Sequence, residues 1–241
     1  MAVLGEANVV HRKLWEYHFI VETLRRSGLL KENRRGIGFG VGSEPLASYF
    51  ASCGVEVLAT DLASDDPDTQ FWRDSNQLAE QLDQLNQRGI CPPDRFARNV
   101  TFAPADMRSQ SFSDLGVADF IWSTCAFEHL GSLEAGRDFV LRSMENLKPG
   151  GIAVHTTEFN ISSNDQTVDS GPVVVYRRRD VEELVEMAKV VNCETRLSFK
   201  SGSSPQDNYV DLPPYQQDPH LKLKLGEFTI TSIGLAFRKR S

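Results

Sequence analysis

The sequence predicts an α/β protein built on a doubly wound, mostly parallel sheet. The run Gly36-Ile-Gly-Phe-Gly-Val-Gly42 closes one short apolar segment and opens into a helix start. A second apolar run, Val55-Glu-Val-Leu-Ala-Thr60, ends at the carboxylate of Asp61, 19 residues after Gly42. Downstream, strand-like and helix-like patterns keep alternating, which implies parallel strands with helices on both faces.

Taken in order, His11 to Arg26 reads as a helix. Leu14, Tyr17, Val21 and Leu24 recur at helical spacing, and Ser27-Gly28 closes the segment. The first strand is Gly36–Gly40. Pro45 suits the first position of helix Pro45–Ser52, where a missing N–H costs nothing. Strand Val55–Thr60 follows. In the long polar stretch from Ser64 to Arg98, leucines at 78, 82 and 85 predict a helix over Phe71 to Arg88, ended by Cys91-Pro-Pro93.

A third strand, Val100–Ala103, runs into Pro104-Ala-Asp-Met107, and a fourth, Ala118–Ser123, into Thr-Cys-Ala-Phe-Glu-His-Leu130. A helix from Ser132 to Asn146 precedes the turn Leu147-Lys-Pro-Gly-Gly151 and a fifth strand, Ile152–Thr157. Asp180 is placed as the cap of a helix through Val191. Strands at Thr195–Phe199 and Phe228–Phe237 complete an antiparallel edge. With no repeat, low-complexity tract or linker, residues 1–241 read as one domain, residues 1–30 forming an N-terminal helical cap.

Composition narrows the function. A hydrophobic content of 40% and a charged content of 24% are ordinary for a globular chain. A net charge of -7 argues against nucleic acid as the partner, with Arg177-Arg178-Arg179 the one candidate basic patch. Four cysteines without a CxxC pair read as reduced thiols, pointing to a cytoplasmic protein. No apolar run approaches the roughly 20 residues of a membrane span.

Glycines at a strand end let backbone approach a ligand, and an acid about 20 residues on can hold ribose hydroxyls. The spacing Gly38-x-Gly40-x-Gly42, with Asp61, Asp106 and the Leu147–Gly151 turn, resembles the class I S-adenosylmethionine-dependent methyltransferases. That resemblance implies a seven-stranded Rossmann-like sheet with an antiparallel C-terminal hairpin edge, and S-adenosylmethionine as cofactor. It places Gly38, Gly40 and Gly42 against the amino-acid part of the cofactor and Asp61 on the ribose. Leu62 and Met107 then lie about the adenine, Asp106 receives the adenine amino group, and Ser123 to Ala126 offer carbonyls to the ammonium. One position departs: the acid usual two residues before the first motif glycine is Gly36 here, leaving Glu44 or Glu16 as replacements.

Ligands of such a sheet gather beyond the carboxyl ends of its strands. Glu128 and His129 follow the fourth strand, and His155 and Glu158 lie on or past the fifth. A hydroxyl acceptor needs a base, and histidine suits neutral pH, so His129 and His155 lead, with Glu128 or Glu158 orienting them or binding substrate. Strand alternation puts His155 and Thr157 on one face and Thr156 and Glu158 on the other. The Glu-His pair is also similar to that of methyltransferases holding magnesium or manganese, which would use Glu128, His129 and either His155 or Glu158.

Aromatic and polar residues in the N-terminal helix (Arg12, Lys13, Trp15, Tyr17), at Phe71-Trp72, in the loop from Asn160 to Arg179 and in Tyr209–Tyr215 suit a polyhydroxylated acceptor. The expected activity is therefore O-methylation of a small or oligomeric polyol, a saccharide foremost. Methylation of a natural product or amine is the alternative, and a non-catalytic cofactor- or partner-binding module a further one.

Overall fold

The computed structural model describes residues 4–6, 8–63, 82–216 and 218–241. Its strands in chain order are β1 (Arg35–Phe39), β2 (Glu56–Asp61), β3 (Val100–Pro104), β4 (Ala118–Thr124), β5 (Gly131–Ser132), β6 (Leu147–Asn160), β7 (Ser170–Gly171), β8 (Cys193–Thr195), β9 (Val210–Asp211), β10 (Lys222–Leu225) and β11 (Phe228–Lys239). The helices are α1 (Arg12–Arg26), α2 (Leu46–Ser52), α3 (Pro93–Asn99), α4 (Leu133–Ser143), α5 (Arg178–Val190) and the single turn α6 (Pro205–Asn208).

The main sheet runs β3-β2-β1-β4-β6-β11-β10-β9, with β8 also against β11. It is parallel from β3 to β6 and antiparallel where β11 meets β6 and β10. The sheet has nine strands rather than the expected seven. The cause is the length of β11: β10 pairs with its first residues, Phe228 to Ile230, and β8 with its last, Phe237 to Lys239. Between them, among the described residues, the outer edge of β11 has no strand partner.

Strand alternation divides the core into two layers. Ile37, Phe39, Ile121, Ala153, Leu235 and Phe237 face α4 and α5, while Val57, Phe120, Trp122, Ile152 and Val154 face α1, α2 and α3. Because successive side chains alternate across a strand, residues 153, 155 and 157 go to the first layer and 156 and 158 to the second.

The helix predicted over Phe71 to Arg88 lies largely outside the described residues, as does Phe71-Trp72; within them, Leu82–Asn86 is a 3-10 turn anchored by buried Leu85. Helix α3 was not foreseen: Pro93 does not merely end a helix but starts one. The Leu147–Gly151 turn is absorbed into β6, with Leu147 paired to Ala118 ahead of a bulge and Gly150 at φ 77° taking up the bend. Arg177, not Asp180, is the N-cap of α5; Asp180 sits three residues in and accepts from the Arg177 N–H at 2.8 Å. His11 caps α1 through a ring nitrogen that accepts from the Lys13 N–H. All four cysteines are free, and among the described residues no helix is long and apolar enough to cross a membrane.

Candidate active site

The carboxyl ends of β1 to β4 converge. A Cβ built on Gly40 would lie 3.0 Å from the Ala126 Cβ and 3.4 Å from the Met107 sulfur, so the loops after β1, β3 and β4 meet at one point. Gly40 and Gly42 turn through φ 57° and 50°, backbone that L side chains rarely adopt. Gly38 is needed for packing, since a Cβ there would meet the Trp122 ring at 2.3 Å. Asp61 ends β2 buried, accepting from the Gly42 N–H and the Leu62 N–H, both at 2.9 Å.

Asp106 lies on the loop after β3, where its carboxylate accepts from the Arg108 backbone and guanidinium. Partial burial would raise its pKa, but those Arg108 bonds outweigh burial and hold it below the usual carboxylate range. Met107 is buried beside Gly40. Ser123 is buried at the end of β4 and faces His155 rather than the glycine loop, its Oγ 2.8 Å from the His155 Nδ1.

Gly36 lacks a carboxylate for a packing reason. A Cβ at that position would stand 2.5 Å from the Phe120 ring, the neighbour across the β1–β4 pair. The acidic groups near this end are Glu44 and Glu16, and both already hold a cation: Lys13 Nζ lies 2.8 Å from Glu44, 3.4 Å from Glu16 and 3.3 Å from the Thr124 carbonyl. Burial disfavours the charged Lys13 amine, but Glu44 and Glu16 outweigh it and raise its pKa well above the ordinary value.

Beyond β4 and β6 lies a dry carboxylate cluster. One donor atom each of Cys125, Glu128 and Glu158 falls within 4.8 Å of the others. Glu128 is fully buried; its Oε2 accepts from the Thr157 hydroxyl, and its Oε1 has no partner among the described residues. Burial, and then the charge of Glu158, push its carboxyl up to about 8. Glu158 is also raised by burial, although the Arg12 guanidinium is bonded to one of its oxygens and pulls the other way; its second oxygen has no partner. The Cys125 thiol is pushed well up by burial and by these acids. Ser232, directly across from Glu158 in the β6–β11 pair, donates to Glu16.

The two histidines stand apart from this cluster. His155 is sealed inside the sheet against Phe127 and Phe139, and burial lowers its pKa to about 3. His129 Nδ1 lies 2.9 Å from the Pro172 carbonyl, and burial lowers its pKa as well. The expected metal set is thus not assembled. Nor does the Cys125–Glu128–Glu158 set fit magnesium or manganese, hard ions that take six or more oxygens: one donor is a protonated thiol and one carboxylate is paired with Arg12.

Ser232 was not named in the sequence reading, and Arg12, Glu16 and Cys125 were expected in other roles: Arg12 in acceptor recognition, Glu16 as a replacement acid and Cys125 only within the carbonyl run after the fourth strand. Glu16 and Ser232 are 216 residues apart, and nothing local marks their contact. The placement of Glu158 opposite His155 was readable, because it follows from strand parity alone.

No protein-family model matches the sequence, and no curated protein matches it. Solved structures do. The chain is similar to a Galdieria sulphuraria protein classed as a sarcosine dimethylglycine methyltransferase, at 17% identity and TM-score 0.57, over 94% of this chain and 86% of that one. It is also similar to the magnesium protoporphyrin IX methyltransferase of Synechocystis PCC 6803, solved with bound S-adenosylhomocysteine (10% identity, TM-score 0.56, 97% and 89% covered). A third is an S-adenosylmethionine-dependent methyltransferase of Clostridium acetobutylicum (12%, 0.51, 97% and 94%). The chain has the Rossmann-like fold of the class I S-adenosylmethionine-dependent methyltransferases.

Proposed function

We propose that the protein is an S-adenosylmethionine-dependent methyltransferase acting on a small molecule. The observation that carries the reading is the convergence of Gly40, Met107 and Ala126 beside a buried Asp61 tied to the Gly42 N–H. In this reading the turn at Gly40 and Gly42 leaves room for the amino-acid part of the cofactor, and Gly38 supports it from the strand by its packing on Trp122. Asp61 holds the ribose, and Leu62 and Met107 flank the adenine, whose amino group competes with Arg108 for Asp106. Bound there, the cofactor would supply an electrophilic methyl group.

Glu128 is the proton acceptor in this scheme. Its carboxyl, pushed up to about 8, holds a proton at neutral pH and gains its base form as pH rises toward 8, so transfer through it should quicken with pH; its Oε1 has no partner among the described residues. The Thr157 hydroxyl fixes its other oxygen, and Arg12 holds Glu158 beside it. The cluster brings four carboxylates (Glu16, Glu44, Glu128, Glu158) against two cations (Arg12, Lys13). That gathering of acceptor oxygens favours an acceptor bearing an amine, whose ammonium proton passes to Glu128 in its ionised form before attack. O-methylation of a saccharide is the second reading, supported by the ring faces of Trp15 and the neighbouring phenylalanines.

Calorimetric titration of S-adenosylhomocysteine tests the cofactor. Asp61→Asn is expected to weaken binding about tenfold by loss of charge-assisted bonds to the ribose. No binding by the folded wild-type protein would overturn the reading. A release assay for S-adenosylhomocysteine with amine and saccharide panels, each with and without chelator, then separates the acceptors.

A further inference from the structure

A cavity of about 520 Å³ opens on the side of the carboxylate cluster away from the glycine turn. Its floor is the helix-facing row of β11, Ser232, Gly234 and Ala236, where the outer edge of that strand has no partner. Small side chains create the space. A Cβ on Gly234 would stand 2.4 Å from the Phe19 ring, so the glycine is what lets α1 lie this close. Trp15, stacked on Phe19 at 5.5 Å, remains 40% exposed at the mouth. Opposite, Phe159 stacks on Phe199 at 5.7 Å.

The cavity carries a charge of its own. Arg196, Lys200 and Lys222 line it, and none has an ion-pair partner among the described residues. Asp207 also lines it, but its carboxylate is occupied by the Ser204 hydroxyl and N–H. The inner end is shared with the carboxylate cluster. Arg12 lines the cavity while bonded to Glu158, and Ser232 lines it with its Oγ 4.0 Å from the Cys125 sulfur. A ligand lying in the cavity therefore points one end at acids and the other at cations.

We propose that this cavity holds the body of the methyl acceptor, and that the acceptor is a planar aromatic molecule bearing an anionic group. The inference rests on the methyltransferase reading and adds the substrate class. The ring lies along Trp15, since an exposed indole face gains from stacking. The anionic group faces Arg196 and Lys200, whose charges cost no ion pair to recruit, with Lys222, which already attracts the Asp207 carboxylate, next to them. The reacting amine extends past Arg12 toward Glu128.

Two fluorescent probes sharing one ring system test it: anilinonaphthalene sulfonate, which is anionic, and N-phenylnaphthylamine, which is neutral. The sulfonate is expected to bind the wild-type protein at a single saturable site. Trp15→Ala should weaken it about tenfold, the loss of one good aromatic contact. Arg196→Gln with Lys200→Gln should weaken the sulfonate by about fivefold or more and leave the neutral probe unchanged. Both variants change exposed or half-exposed side chains, and unchanged melting curves would show that folding is intact. Equal sulfonate affinity in wild type and both variants would overturn the proposal. Titration of S-adenosylhomocysteine is read separately. Its failure with the probe pattern intact removes the methyltransferase reading and with it the acceptor role; success with the probe pattern absent removes only the substrate class.

Discussion

Lys13 reaches from α1 to Glu44 on the loop after β1, its ammonium 2.8 Å from the carboxylate and 3.3 Å from the Thr124 carbonyl. A carboxylate and a strand-end carbonyl are the groups an amino-acid ammonium would seek at this end of the cleft. Lys13 thus stands where the proposed cofactor would place its own positive charge. Glu44→Gln is expected to weaken S-adenosylhomocysteine binding about tenfold, the loss of one charge-assisted contact. Unchanged affinity in calorimetry would assign the ammonium to backbone carbonyls instead.

Glu128 gives a pH signature. Its folded pKa of about 8 lies above the ordinary 4.5, so the folded protein binds the extra proton between those values. Its stabilising contribution is therefore complete at low pH and is lost as pH rises through about 8. Melting temperature should fall between pH 6 and 9 by more in wild type than in Glu128→Gln. The same substitution should lower kcat by about a hundredfold, within the usual range for a general base, with KM little changed. An unaltered kcat would remove Glu128 from proton transfer.

His155 has the opposite sign. Burial lowers its folded pKa to about 3 from the ordinary 6.5, so the unfolded chain binds the proton first. Its contribution is present above 6.5 and is lost as pH falls toward 3. His155→Ala opens a cavity between Phe127 and Phe139 and should cost about 2–4 kcal/mol in denaturant unfolding. A loss of turnover at undiminished stability would return His155 to the catalytic set.

Gly36→Asp would supply the acid that the methyltransferase resemblance leads one to expect, but its Cβ must enter the Phe120 ring. Overpacking of this kind should cost about 2 kcal/mol or more. Truncating the ring with Phe120→Ala in the same protein should recover part of the loss, so the two changes combine non-additively. Additive losses in unfolding experiments would break the link between glycine and ring.

What the sequence made legible is what local patterns encode. The glycine turn with Asp61 follows from motif spacing, while the strand–helix alternation and the opposite facing of His155 and Glu158 follow from periods of two and 3.6 residues along the chain. The short strands β9 and β10 carry too few residues for a period to register, and the strand expected at Thr195–Phe199 lies instead at Cys193–Thr195. The carboxylate cluster was half legible: Glu128 and Glu158 stand next to recognisable strand ends, while Arg12, Glu16 and Ser232 arrive from the two ends of the chain. Sequence favoured histidine as base on its solution pKa; burial lowers the pKa of His155 and raises that of Glu128.

One helix takes part in both halves of the site. On α1, Arg12, Lys13 and Glu16 belong to the carboxylate end, while Trp15 and Phe19 wall the cavity over β11. A ligand that resets α1 on one side changes what its neighbour meets on the other. Such linkage is reciprocal: whatever factor the first ligand imposes on the affinity of the second, the second imposes on the first. The two binding events then form one thermodynamic cycle with α1 as the shared edge.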